Sequence, residues 1–165
     1  MHVQEVVAYV NKDFRDAGVI LFYNEKDPLT EWLGNFYSVS VAYNGFVFSN
    51  SEGAFQAQKF SHDPEIMAQF TTLTGDQAFR KARELSSKIR SDWLEIRVQV
   101  MEEVLQAKFE QNPFLARLLD GTGDAFLIEH NEVKGRDAFW SDDSDGTGLN
   151  MLWILLMKIR SERRI

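Results

Sequence analysis

The 165-residue sequence contains no cysteine and only three histidines, His2, His62 and His130. Without thiols the chain cannot form disulfides, thiolate zinc sites, iron–sulfur clusters or a cysteine nucleophile, which fits a reducing compartment. No two of the histidines have the four-residue spacing of a helical metal site. Metal chemistry is therefore not expected.

Long apolar runs are also missing. No stretch approaches the roughly 20 residues that span a bilayer. The N-terminal segment MHVQEVVAYVNKDF carries charges where a signal peptide would be apolar. We therefore expect a soluble, cytoplasmic protein without a membrane partner.

Positive charge is scarce overall but is concentrated in one segment. The chain has 18 Lys and Arg against 25 Asp and Glu, a formal net charge of −7, which disfavours nonspecific coating of a nucleic-acid backbone. The exception is the segment 80–97, whose basic side chains are Arg80, Lys81, Arg83, Lys88, Arg90 and Arg97. This local excess could hold one or two phosphates, or it could form ordinary solvated faces of two helices.

Low-complexity runs, internal repeats and linkers are absent, so we expect a single domain over residues 1–165. The apolar run from Val19 to Tyr23 predicts a strand, with a buried helix as the alternative. Alternating apolar residues on both sides of Asn44-Gly45 predict a hairpin, since Asn-Gly supplies the two positive-φ residues of a type I′ turn.

Capping residues mark the helix starts. Asp63-Pro64, the capping box Thr74 to Gln77 and Ser91-Asp92 each precede a predicted helix, the last one a long core helix ending near residues 112–113. Residues 113–119 and 150–160 predict further helices, and residues 125–129 predict a strand. The fold class is therefore α+β, predominantly helical with a small β element.

Three segments carry more polar or aromatic groups than simple packing requires. Glu52, Gln56 and Lys59 lie at i, i+4 and i+7, so one helix face presents a carboxylate, an amide and an amine, with a solvated face as the alternative. Residues 137–150 end in a glycine-rich turn before the last helix, which could approach a ligand or form a surface loop. Trp93 lies at a helix start, where it could stack on a base or belong to the core.

These segments, taken in order, resemble the NADAR domain family, whose YbiA-like members are N-glycosidases. The resemblance covers about residues 19–162. It rests on Leu33-Gly-Asn-Phe36, Ser51-Glu52, Phe55-Gln-Ala-Gln-Lys-Phe60, Arg83, Arg90-Ser-Asp-Trp93, Met101, Lys108-Phe109, Asp137-Ala-Phe-Trp140, Gly146-Thr-Gly148-Leu-Asn150, Leu156-Met157 and Arg160.

The resemblance implies an enzyme that hydrolyses the N-glycosidic bond between a phosphorylated ribose and a base. Substrates associated with the family are ADP-ribose on guanine, in nucleic acid or nucleotides, and ribosylamino-pyrimidine phosphate intermediates of riboflavin synthesis. No metal or redox cofactor is implied, and a cognate ADP-ribosyltransferase could be a genetic partner. The alternative function is a non-catalytic module that binds ADP-ribose or a nucleotide.

By position, the resemblance assigns catalytic roles to Glu52, Lys59 and Asp137. The two carboxyls could stabilise charge on the anomeric carbon and protonate the departing nitrogen. Lys59 could instead form a Schiff base with the ring-opened sugar, with Lys108 as a rival, and direct attack by water stays open. The substrate-binding residues that the resemblance implies are Asn35, Phe36, Gln56, Arg83, Arg90, Trp93, Trp140, Gly148 and Asn150.

The chain departs from the family pattern at several positions. Gly53-Ala54 replaces an aromatic or histidine pair, which we expect to widen the pocket or relax base stacking. Ser141 and Trp153 each stand where a glycine is common. Lys134-Gly-Arg136 resembles a short insertion before Asp137, so Glu132 is the alternative carboxylate.

Overall fold

The computed structural model describes residues 18–22 and 27–164. It confirms an α+β fold in which helices predominate. Three short 3₁₀ turns accompany the main elements, at Glu31–Leu33, Gln58–Phe60 and Ser86–Lys88. The main elements in chain order are β1 (Val19–Phe22), β2 (Ser38–Tyr43), β3 (Phe46–Asn50), α1 (Ser51–Ala57), α2 (Pro64–Ala68), α3 (Gly75–Glu84), α4 (Trp93–Gln111), α5 (Pro113–Gly121), β4 (Phe126–Glu129) and α6 (Met151–Glu162).

These elements form two compact units. The middle unit comprises Asn35–Gln111 and holds β2, β3 and α1 to α4. The terminal unit comprises the described residues up to Gly34 and those from Asn112 onward, with β1, β4, α5 and α6. The single domain over residues 1–165 stays a prediction.

The predicted hairpin of the middle unit is confirmed, and it leads directly into α1. Asn44 and Gly45 have φ angles of 48° and 83°, as a type I′ turn requires. The last residue of β3, Asn50, caps α1 because its Oδ1 accepts the N–H of Gly53 at 2.7 Å. Its Nδ2 donates to the carbonyl of Leu73 at 2.8 Å, so the start of α1 is fixed from two sides.

Two of the three predicted helix caps, Asp63 and Thr74, are confirmed. Asp63 Oδ1 accepts two N–H groups at the start of α2, both at 3.1 Å. At α3, Thr74 Oγ1 accepts the N–H of Gln77 at 3.3 Å, and Gln77 Oε1 accepts the N–H of Thr74 at 2.9 Å. Local capping chemistry therefore sets these boundaries.

Helix α1 lies in the interior of the middle unit, where all seven of its residues are buried. It packs against β2, β3, α2, α3 and α4. A Cβ on Gly53 would lie 3.1 Å from the carbonyl oxygen of Phe70 and 3.3 Å from Asn50 Oδ1. The expectation that Gly53-Ala54 widens a pocket is therefore wrong at Gly53, because protein atoms fill the space beside it.

The long helix α4 carries a lysine inside the core. Val100, Met101, Val104, Leu105 and Phe109 form its buried side. Lys108 is 0% exposed, and its Nζ lies 5.3 Å from the ring centroid of Phe109. Burial lowers the pKa of Lys108 from 10.5 to about 7.

The terminal unit contains a two-stranded parallel sheet. β1 pairs with β4 in a register that places Val19 opposite Phe126 and Phe22 opposite Glu129, while the predicted Tyr23 lies outside the described residues. Helix α6 packs on β4. Within the described ranges no helix, α6 included, is long and apolar enough to cross a membrane.

Replacing Lys108 with methionine is expected to change how stability depends on pH. The folded chain releases the Lys108 proton near pH 7, whereas the unfolded chain keeps it until about pH 10.4. Between these values the unfolded state binds more protons, so the free energy of unfolding rises with pH, by up to about 1.4 kcal/mol per pH unit. Lys108→Met should remove that slope.

Urea unfolding of both proteins at several pH values from about 6 to 10 measures this difference. We expect the variant to be the more stable protein at the acidic end, where the wild type must bury a charged amine. Identical slopes in the two proteins would contradict a neutral buried amine.

Candidate active site

A buried carboxylate and amide lie one turn apart on α1. Glu52 is 6% exposed and Gln56 is 4% exposed. Gln56 Nε2 donates to Glu52 Oε1 at 2.7 Å, and the N–H of Glu52 donates to the main-chain carbonyl of Asn35 at 3.0 Å. The alternative of a solvated helix face is wrong for these two residues, because α1 turns them into the interior.

Lys59 follows α1 in the 3₁₀ turn Gln58–Phe60 and is half-buried. Burial lowers the pKa of its amine, the carboxylate of Glu52 raises it, and the charges of Arg83 and Arg97 lower it further. The net shift is downward, so more of the amine is neutral than in an exposed lysine. The charges of Glu52 and Lys59 therefore interact in this structure.

Trp93, the first residue of α4, borders this lysine. Lys59 Nζ lies 5.6 Å from the centroid of the indole, within the range of a cation–π contact. The indole packs on Phe55 with the ring centroids 5.0 Å apart. Because Trp93 is only 7% exposed, it is a core residue in this structure, and its role in stacking a base stays a prediction.

Arg90 is engaged by the protein itself. Its Nε and Nη2 donate to the two carboxylate oxygens of Asp92 at 2.6 and 2.8 Å, and its Nη1 donates to Ser61 Oγ at 2.7 Å. The N–H of Arg90 donates to the carbonyl of Lys59 at 2.9 Å. These bonds fix the turn between Lys59 and α4, and contact of Arg90 with a phosphate stays a prediction.

Two other arginines act on Lys59. Arg83 on α3 is exposed, with its guanidinium carbon 5.3 Å from the ring centroid of Phe79. Arg97 lies on α4 one turn after Trp93 and is half-buried. Arg97 is one of the basic residues of the segment 80–97 but is not among the predicted substrate-binding residues, although its i+4 spacing from Trp93 is a signal that could have identified it.

An open cleft of about 660 Å³ lies beside the Arg90 turn in the same unit. Glu52, Lys59 and Trp93 are not among its lining residues. We therefore do not equate this cleft with the site around Glu52. Its lining is hydroxyl-rich and basic, and comprises Ser61, His62, Ser87, Lys88, Ile89, Arg90, Ser91 and Asp92.

Asn35 and Phe36 precede β2 and have structural contacts of their own. Asn35 is 6% exposed, and its Nδ2 donates to Met101 Sδ at 3.2 Å. Phe36 is half-buried against the start of α3, where a Cβ on Gly75 would lie 2.5 Å from Phe36 Cγ. Gly75 is thus required for the close packing of Phe36, whose contact with substrate stays a prediction.

Asp137 and Trp140 belong to the terminal unit, whereas Glu52 belongs to the middle unit. Asp137 Oδ1 accepts the N–H of Phe139 at 3.2 Å and the N–H of Trp140 at 2.9 Å. Trp140 is half-buried and packs edge to face on Phe139, with centroids 4.8 Å apart. Asp137 therefore shapes the turn that carries Trp140, whereas the alternative carboxylate, Glu132, is exposed.

The turn that contains Gly148 closes on its own backbone. The N–H of Gly148 donates to the carbonyl of Asp142 at 3.1 Å, and a Cβ at Gly148 would lie 2.1 Å from the carbonyl oxygen of Ser141. Asn150 Oδ1 accepts the N–H of Glu129 at 3.2 Å. These polar groups hold the loop, and the predicted contacts of Gly148 and Asn150 with substrate stay predictions.

The acidic part of this loop is organised by protein donors. Asp142 Oδ1 accepts the N–H groups of Asn131 and Ser144, both at 3.0 Å, and Asp142 Oδ2 lies 2.7 Å from His130 Nδ1. Burial raises the pKa of Asp142, but these hydrogen bonds together outweigh it and hold the pKa below its usual value. In the part of the chain that the structure describes, no three His, Asp or Glu side chains are grouped to hold a metal ion.

The middle unit contains a buried carboxylate, Glu52, and an amine of lowered pKa, Lys59. A buried carboxylate and an amine of lowered pKa serve acid–base and nucleophilic catalysis. The family model of the NADAR domain matches residues 21–164. The chain therefore belongs to the NADAR domain family.

Curated relatives extend this match. A riboflavin biosynthesis protein of Vibrio vulnificus is 40% identical over 145 residues, which are 86% of this chain but only 38% of that protein. The N-glycosidase YbiA of Escherichia coli is 36% identical over 148 residues, 89% of each chain. An N-glycosidase of Nostoc punctiforme is 30% identical over 148 residues, 88% of this chain and 92% of that protein.

A solved structure confirms the fold. The NMR structure of E. coli YbiA matches with a TM-score of 0.78 at 35% identity, covering 91% of this chain and 86% of that chain. The relatives of similar length are N-glycosidases. The prediction that the chain is a glycosidase, a hydrolase of N-glycosyl compounds, is thereby confirmed.

Removing either arginine near Lys59 should raise the pKa of the Lys59 amine. Both guanidinium charges disfavour its protonated form, so Arg83→Ala and Arg97→Ala each relieve that repulsion. Arg80→Ala is the matched control, because Arg80 lies on the same helix as Arg83 but pairs with Asp76 at 3.0 Å. NMR titration of reductively methylated lysines measures the shift, and an unchanged Lys59 pKa in both variants would contradict this electrostatic contact.

Proposed function

We propose that the chain cleaves the N-glycosidic bond between a phosphorylated ribose and a base. The proposed substrate is ADP-ribose on guanine, in nucleic acid or nucleotides, or a ribosylamino-pyrimidine phosphate. The observation that carries the proposal is the buried, hydrogen-bonded Glu52–Gln56 pair, whose carboxylate charge acts on the amine of Lys59. The names of the relatives support it, since they refer to N-glycosidases and to riboflavin biosynthesis.

Glu52 is the proposed stabiliser of the sugar cation. Cleavage of a glycosidic bond builds positive charge on the anomeric carbon, and a nearby carboxylate lowers the free energy of that state. Gln56 holds one carboxylate oxygen by its hydrogen bond, which orients the group before substrate arrives. The carboxyl group of Asp137 is the proposed acid that protonates the departing nitrogen.

Lys59 is the proposed nucleophile in the Schiff-base route. Its neutral nitrogen bonds to the anomeric carbon, the base departs with a proton, and the ring opens to give a Schiff base that water hydrolyses. Lys108 also has a lowered pKa, but it is 0% exposed and enclosed by the core. We therefore prefer Lys59, which is only half-buried.

Arg83 and Arg97 are the proposed phosphate-binding residues. They carry positive charge close to Lys59 from two different helices, and charge-assisted bonds of guanidinium to phosphate are strong. Arg90 has its Nε, Nη1 and Nη2 engaged by Asp92 and Ser61, so we propose that its main role is to position the Lys59 turn.

The alternative function is a module that binds ADP-ribose or a nucleotide without turnover. Such a module needs stacking and phosphate contacts but gains nothing from a buried carboxylate beside an amine of lowered pKa. If ADP-ribosyl guanine is the substrate, an ADP-ribosyltransferase must produce it, and that enzyme is the proposed genetic partner.

Glu52→Gln should abolish turnover while the chain stays folded. The variant amide still accepts the hydrogen bond from Gln56, but it loses the charge that stabilises the sugar cation. We expect kcat to fall about 10²- to 10⁴-fold. Chromatography of free base released from ADP-ribosyl-guanosine, and separately from a ribosylamino-pyrimidine phosphate, measures this, with circular dichroism as the control for folding. Wild-type rates in the variant would remove Glu52 from the mechanism.

Borohydride reduction during turnover tests the nucleophile. We expect it to trap a covalent sugar adduct on the wild type and none on Lys59→Met, because only a Schiff base is reduced to a stable amine. Lys108→Met is the matched control and should still form the adduct. Mass spectrometry detects the adduct, and turnover by the wild type without any adduct would favour direct attack by water.

A further inference from the structure

Gln56 carries an amide oxygen whose direction is fixed. Its Nε2 donates to Glu52 Oε1 at 2.7 Å, and a carboxylate accepts hydrogen bonds but cannot donate them. Turning the amide over would place two acceptors together. Oε1 must therefore face away from Glu52, where it is buried and has no hydrogen-bond partner among the residues that the structure describes.

A second acceptor of the same kind is linked to Glu52. Asn35 accepts the N–H of Glu52 with its main-chain carbonyl, and its Oδ1 is also buried without a partner in residues 18–22 and 27–164. Its Nδ2 donates to Met101 Sδ, a weak acceptor, so the amide of Asn35 is held less firmly than that of Gln56. Both acceptors belong to residues that are hydrogen-bonded to Glu52.

Buried acceptors without donors are unfavourable, and a ligand that brings a donor relieves that penalty. If Glu52 acts at the anomeric carbon, a residue bonded to Glu52 lies close to the neighbouring carbon of the sugar. In glycoside hydrolysis, hydrogen bonds to the hydroxyl on that carbon strengthen as the positive charge develops. A ribose hydroxyl at this position is the donor that the site lacks.

We propose that Gln56 Oε1 accepts a hydrogen bond from the ribose hydroxyl next to the anomeric carbon, which makes the site selective for ribosyl over 2-deoxyribosyl substrates. The inference rests on the proposed function, since it takes Glu52 as the group at the anomeric carbon. Gln56 is thus the specificity-determining residue for the sugar.

Gln58 provides a matched control two residues along the chain. It is also buried, at 3% exposed, but both ends of its amide are satisfied within the protein. Its Nε2 donates to the carbonyl of Ala54 at 3.1 Å, and its Oε1 accepts from Asn44 Nδ2 at 2.9 Å. Replacing Gln58 therefore removes a buried amide without removing an acceptor that awaits a ligand.

The first experiment compares kcat/KM on ADP-ribosyl-guanosine with kcat/KM on its deoxy analogue. The analogue lacks this hydroxyl in the ADP-ribosyl group, in the ribose whose anomeric carbon is bonded to guanine. The deoxy bond is intrinsically more labile, because an electron-withdrawing hydroxyl disfavours the neighbouring cation. The informative quantity is therefore the ratio of kcat/KM on the ribosyl substrate to kcat/KM on the deoxy analogue, compared between proteins. We expect the ratio to fall at least about tenfold in Gln56→Met and to keep its wild-type value in Gln58→Met.

The same ratio in the wild type and in Gln56→Met would overturn the inference.

A binding experiment separates this inference from the proposed function. Titration calorimetry with ADP-ribose, and with ADP-ribose lacking the same hydroxyl in its terminal ribose, requires no turnover. We expect the missing hydroxyl to weaken binding to the wild type at least about tenfold and to make little difference in Gln56→Met. If this difference in affinity is observed but no substrate is turned over, the proposed function is refuted and the inferred hydroxyl contact is supported.

Equal affinities of the wild type for the two ligands, or no binding of either, would overturn the inference whatever the turnover. This wild-type comparison also decides the matter if Gln56→Met fails to fold.

Discussion

Burial of the Glu52 carboxylate is the constraint on which the middle unit depends. A carboxylate at 6% exposure loses most of its hydration, and protein donors must replace part of it. The hydrogen bond from Gln56 Nε2 is such a replacement, and it needs Glu52 and Gln56 on one continuous turn. That turn exists because Asn50 ends β3 and caps α1, so the hairpin before the helix determines where the carboxylate lies.

The same burial sets the character of Lys59. Desolvation lowers the pKa of its amine, Glu52 opposes the shift, and Arg83 and Arg97 add to it. The protonated amine of Lys59 is stabilised by Glu52 and destabilised by the two arginines. Its protonation state therefore depends on helices α1, α3 and α4 together. Arrival of phosphate at the arginines would neutralise part of their charge and raise the Lys59 pKa, which links substrate binding to the state of the amine.

The sequence predicted well those features whose cause is local. Asn44-Gly45 and the Thr74–Gln77 capping box determine their turn and helix start through their own backbone and side-chain chemistry. Burial of Glu52 and Gln56 was beyond prediction by spacing, because a seven-residue helix packed on several elements has no solvated side to contrast with. For Arg97 the i+4 spacing from Trp93 is a local signal, but its effect on Lys59 depends on the packing of α1 on α4, which no single segment encodes.

Two neighbouring glutamines show that the unpaired oxygen of Gln56 is not a limitation of the fold. Gln58, equally buried, finds a donor for its oxygen in Asn44 and an acceptor for its nitrogen in Ala54. The hairpin turn thus supplies a side-chain donor at one position, whereas nothing in the described ranges supplies one at Gln56 Oε1. A buried acceptor left in this state lowers the stability of the free protein, and a ligand with a donor relieves that penalty. A ligand with that donor removes the penalty and a ligand without it does not, so the unpaired oxygen makes the site selective between the two ligands.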